Sequence, residues 1–226
     1  MTEKQWLKCK EPSPMLEFLR GKASDRKLRL FGVACCRRIW HLLTDERGRN
    51  AVEVAERFAD AIATTAERRA AAVAAWQWLE ETADADSAPY FAMQSAADCT
   101  RINAYLAASE ACANVQNAIS TVAAYRRLYE DELSQLAVMI LDIIGNPFRP
   151  VLIDPKCLTP TVTSLATAAY EERSLPSGEL DPARLTVLAD ALEEAGCQEQ
   201  SILDHLRSPG PHVRGCWALD LILGRA

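Results

Sequence analysis

After Pro89 the chain runs to Ile144 without one glycine or proline, and no other feature limits its possible folds so strongly. The run is rich in Ala, Leu and Ile. Alanine and leucine are the best helix formers, and breakers are absent, so a long loop is excluded. The length requires two or three helices. "DCTR" (98–101) and "YEDE" (129–132) are the candidate joints.

Most of the remaining chain also reads as helix. Ser24 is a candidate N-cap for 25–43, Thr44 for 45–63, and a further helix covers 67–83. Gly145 is expected to stop the long run as a left-handed residue. "NPFRPVLIDPKCLTP" (146–160) then brings four prolines, each lacking a backbone donor, and reads as an extended connector. Within it, Phe148 is expected to plug the core. Helices resume at 161–174, 183–196, 198–207 and 212–223. No segment alternates with period two. The expected fold class is therefore all-α: an N-terminal multi-helix domain (1–145), the connector (146–160), and a C-terminal helical-hairpin module (161–226). The Val213-Arg214 pair of that module is HEAT-like in position.

Charge is unevenly placed. Residues 1–50 carry twelve basic against six acidic side chains, and the rest thirteen against twenty-five. The net charge of −6 argues against a dedicated nucleic-acid binder. The first ten residues are charged and polar. The most apolar run, "LAVMILDII" (136–144), is interrupted by Asp142 and is too short to span a bilayer. A cytoplasmic chain without a membrane span is expected, and its eight cysteines are expected to remain thiols. Two of them, Cys35 and Cys36, are adjacent, and no CxxC occurs.

Two groups of side chains are candidate sites. On the helix 25–43, Arg26, Arg29, Arg37 and Arg38 gather opposite an apolar stripe, beside Trp40. Such a face could meet phosphate, or pair with the protein's own carboxylates. Near the end, Cys197, His205, His212 and Cys216 give the pattern Cys-x7-His-x6-His-x3-Cys. All are zinc-ligand types, though the paired cysteines of a zinc ribbon are absent. In a helix, His212 and Cys216 would share a face at i, i+4. The simpler alternative is a core stripe through His212, Cys216, Leu219 and Leu223, and a third is a thiolate–imidazole pair. Nucleotide-binding, zinc-protease and serine-hydrolase motifs are missing.

The stretch "LTVLADALEEAGCQEQSILDHLR" resembles the short repeat-companion module of planctomycete bacteria at Leu188, Ala189, Asp190, Leu192, Glu193, Glu194 and Gly196. "DRKLRLFGVACCRRIWHLL", "GNPFRP" and "GPHVRGCWALDLILG" together are similar to a planctomycete family that carries these blocks around a variable middle. The resemblance implies kinship but no activity, cofactor or catalytic residue. The function expected from the sequence is a non-catalytic protein-interaction or scaffold module whose partner is another protein. A zinc-stabilised module is the first alternative, and nucleic-acid contact through helix 25–43 the weaker one.

Overall fold

The computed structural model describes residues 1–122 and 126–225, except the side chain of residue 126. The described residues form twelve α-helices and no β-strand, and the fold is all-α. Two isolated β-bridges, Ser174 to Glu179 and Glu179 to Val213, are the only extended pairings among them. Contacts divide the chain into two compact units, Met1–Val138 and Met139–Ala226. The division falls inside a helix, seven residues before the boundary suggested by Gly145.

The first unit contains α1 (Glu3–Lys8), α2 (Pro12–Leu19), α3 (Asp25–Arg38), α4 (Glu46–Ala59), α5 (Thr65–Glu81), α6 (Ala88–Cys99), α7 (Ala104–Val122) and most of α8 (Arg126–Ile144). Polar caps define several starts. The Ser24 hydroxyl accepts the Lys27 N–H, and Thr64 and Glu67 form a reciprocal capping box at α5. α7 buries Ala104, Ala107, Ala108, Ala111, Cys112, Val115 and Ala118. This stripe of mostly small side chains follows the helical period and lets α3 and α6 pack closely against α7.

Three expectations shift here. The helix expected to reach residue 43 ends at Arg38, because the Ile39 N–H bonds back to the Cys36 carbonyl and tightens the chain into a 3-10 turn over Trp40–Leu42. The candidate N-cap Thr44 gives way to Asp45, whose carboxylate accepts the Arg47 N–H. The joint proposed at 129–132 lies within α8, with Glu130 and Asp131 exposed. Acidic residues on a solvated face do not end a helix. The break after "DCTR" does occur, between α6 and α7.

The second unit holds the last turns of α8, then α9 (Pro160–Glu171), α10 (Pro182–Glu194), α11 (Gln200–Leu206) and α12 (Trp217–Leu223). Its core is built from helical stripes: Val162, Ala166, Ala169 and Tyr170 of α9, and Leu185, Leu188, Ala189 and Leu192 of α10. α9 packs against α10 and α12, and α11 against α10 and α12. Half of the "ADALEE" motif is therefore core. Its polar residues Asp190 and Glu193 both accept the Arg207 guanidinium. Phe148, expected as a plug, is 38% exposed.

Candidate metal centre

The last helix starts five residues later than its spacing suggests. Residues 212 and 213 are held laterally instead: the Leu180 N–H donates to the His212 carbonyl, and Val213 bridges Glu179. Gly210 makes this entry possible. Its φ is +83°, and a Cβ there would lie 2.7 Å from the His212 nitrogen. His212 and Cys216 are consequently not neighbours on one helix. Cys216 is the N-cap residue of α12, and His212 lies in the turn before it.

Those two side chains still converge, together with two others. Asp142, His205, His212 and Cys216 each offer one ligand atom, and the four atoms lie within 4.8 Å of one another. Asp142 comes from the last turn of α8 and His205 from the last turn of α11. His212 Nδ1 is 2.8 Å from Asp142 Oδ1, and His205 Nε2 is 3.1 Å from the same oxygen. His205 Nε2 is also 3.2 Å from Cys216 Sγ. Asp142, His212 and Cys216 are buried, while the His205 side chain remains 18% exposed.

The surrounding contacts orient this set. The second Asp142 oxygen accepts the Val213 N–H at 2.8 Å. His212 Nε2 donates to the Ser208 carbonyl at 3.0 Å, which leaves Nδ1 facing the cluster. A ligating histidine is commonly fixed in this way by a backbone carbonyl on its far nitrogen. Rings pack around the group: His205 lies 4.9 Å from His212, edge to face, and 4.9 Å from Trp217.

Asp142 and His212 shift each other in opposite directions. Burial alone would raise the Asp142 carboxyl, but hydrogen bonds from His205 and His212 more than reverse this and hold it below the usual carboxylate range. Burial alone would lower His212. Its bond to Asp142, the carboxylate charge and the Ser208 carbonyl turn the balance upward. A carboxylate in the last turn of a helix faces the negative end of the dipole, which costs about 0.3–1 kcal/mol. Asp142 therefore serves its cluster and not its helix.

A Cys-His-Asp catalytic relay does not fit these distances. In such a relay one imidazole nitrogen meets the carboxylate and the other meets the nucleophile. Here a single nitrogen, His205 Nε2, faces both. The four ligand atoms, all within 4.8 Å of one another, form a hydrogen-bonded set whose residue types could also hold an ion. Zinc bonds of about 2.0–2.3 Å place tetrahedral ligand atoms roughly 3.3–3.8 Å apart. An ion would lengthen the shortest contact, 2.8 Å, by some tenths of an ångström and draw in the widest pair, which lies within 4.8 Å, by about 1 Å.

The sequence reading needs one correction. The structure brings His205, His212 and Cys216 together with Asp142, and Cys197 is not in that group. Cys197 follows the end of α10 and lies beside Cys157, both of them buried in the unit's apolar core. Asp142 did leave a signal, as the one charge within an otherwise apolar run.

The second candidate group is the basic helix. Arg26 pairs with Asp60 at 2.8 Å, and Arg37 grips Glu56 with two bonds, both side chains buried. Arg38 takes Glu132 in the same two-pronged way. Arg29 donates to the carbonyls of Arg101 and Ile102 beyond the end of α6. All four guanidiniums bond to the protein's own groups, the second of the two readings the sequence allowed for this face.

No protein-family model, curated protein or solved structure matches the chain. Among the described residues, no helix is long and apolar enough to cross a membrane.

Proposed function

We propose that the chain is a non-catalytic helical module whose C-terminal unit closes around one divalent ion of the zinc class, held by Asp142, His205, His212 and Cys216. The observation that carries this reading is the meeting of four ligand atoms of suitable type within 4.8 Å. Mixed nitrogen, sulfur and oxygen donors suit zinc, whereas calcium and magnesium prefer oxygen throughout. With one carboxylate, one thiolate and two neutral imidazoles, a divalent ion gives a site of zero net charge, as burial demands. The ion would join the end of α8 to the 205–216 segment.

Elemental analysis of the purified chain tests the proposal. About one zinc per chain is expected, with a loss of stability on chelation. Absence of bound metal after incubation with zinc, together with indifference to chelators, overturns it. A protein-interaction role in a cytoplasmic setting accompanies this reading. Affinity capture with the zinc-loaded chain checks that role: partners displaced by excess untagged chain support it, and an eluate matching the control rejects it.

A further inference from the structure

The adjacent cysteines of the first unit have no part in the metal reading, yet the fold gives each a partner. Neighbouring residues on a helix diverge by about 100°, so Cys35 and Cys36 on α3 face different helices. Cys35 lies beside Cys112 of α7, and both are buried. Cys36 Sγ lies 3.3 Å from Cys99 Sγ of α6 and 3.0 Å from the Ser95 hydroxyl, which itself donates to the Ala111 carbonyl. Cys36 and Cys99 are fully buried, at 0% and 1% exposure, and 63 positions apart in sequence.

We propose that Cys36 and Cys99 form a dithiol that closes to a disulfide between α3 and α6 when a low-molecular-weight disulfide such as oxidised glutathione reaches it. The sulfurs must approach by a little over 1 Å to reach a bond length of about 2.05 Å. A change of that size is within reach of side-chain rotation on two helices that already pack together. The Cys99 thiolate attacks one sulfur of the oxidant, forming a mixed disulfide and releasing one glutathione thiolate. The Cys36 thiolate then attacks Cys99 Sγ and displaces the second glutathione. The protein loses two protons and two electrons, and one oxidised glutathione becomes two reduced molecules.

Burial controls when this happens. The Cys36 hydrogen bond and burial push the Cys99 thiol well up, so the closed unit offers little thiolate. Exchange therefore follows opening of the α3–α6 contact, or accompanies folding. Once formed, the bridge restricts the unfolded chain over a long loop and stabilises the unit.

The test is refolding of the full-length protein in a glutathione redox buffer, followed by alkylation in denaturant, proteolysis and mass spectrometry. A cross-linked peptide containing Cys36 and Cys99 is expected, lighter by two hydrogen atoms than the separate peptides. The oxidised protein should unfold at higher denaturant than the reduced protein, and Cys99→Ala should lose both the link and the gain. Alkylation of both residues under every condition overturns the proposal, as does a link from Cys36 to any other cysteine. The wild-type peptide map decides even if Cys99→Ala fails to fold.

Discussion

Asp98 in the first unit and Asp142 in the second are both buried carboxylates, yet their surroundings drive them in opposite directions. Asp98 accepts the Arg101 guanidinium at 2.6 Å and the Asn114 amide at 2.8 Å, and burial still wins, raising its carboxyl above the ordinary range. Asp142 is as deeply enclosed but is pulled below that range by two imidazoles. The partners of Asp98, a guanidinium and an amide, are not zinc ligands, whereas the two imidazoles at Asp142 are of a zinc-ligand type. A buried charge marks a site only when its partners are themselves exchangeable ligands.

The comparison breaks most sharply at His212. His212→Ala should abolish stoichiometric zinc and destabilise the protein by about 3–5 kcal/mol, because it leaves the Asp142 carboxylate buried without its closest partner. Elemental analysis and denaturant unfolding measure the two effects. Glu56→Ala should cost a similar amount, about 3–5 kcal/mol, by removing the carboxylate that neutralises the buried Arg37. It should leave the metal content unchanged, which separates a structural ion pair from a ligand set.

Cys197→Ala sharpens the correction to the ligand set. It should cost on the order of 1 kcal/mol in lost packing and bind zinc with unchanged stoichiometry. A loss of the ion would restore Cys197 as a ligand. Asp98→Asn addresses the other carboxylate. Because the folded Asp98 value is raised, its contribution is complete below the unfolded value of about 3.9 and fades as pH rises through the folded one. The difference in stability between Asp98→Asn and wild type should therefore shift in favour of the variant over that interval. Equilibrium unfolding at several pH values reads this directly. The smallest effect is expected from Arg38→Ala, whose partly exposed pair with Glu132 is worth under about 1 kcal/mol. That variant should bind nucleic acid no differently from wild type in a filter-retention assay.

Much of this organisation was legible in the sequence. The alanine-rich run, the missing glycines and the cap at Ser24 predict the helices, because these are local effects that a short window contains. Positions 205, 212 and 216 were readable as ligands by residue type alone. Two things were not legible. The spacing of His212 and Cys216 is that of one helical face, but lateral bonds from Leu180 and Glu179 hold this segment outside the helix. Asp142 lies 63 positions before His205, and no local pattern links a lone acidic residue in an apolar run to a distant histidine. Cys197 matched the chemistry but faces Cys157, a choice made by packing at the end of α10.

The placement of Asp142 also bears on how this unit could be moved between genes. The prolines after Gly145 look like the natural place to cut, and a fragment beginning there would encode His205, His212 and Cys216. It would leave behind the residue on which two of them converge. Any portable version of the C-terminal unit must begin inside α8 and carry part of that helix as its first element. A cut at the loop after Gly145 would part Asp142 from His205, His212 and Cys216, all four of which lie in the unit that begins at Met139.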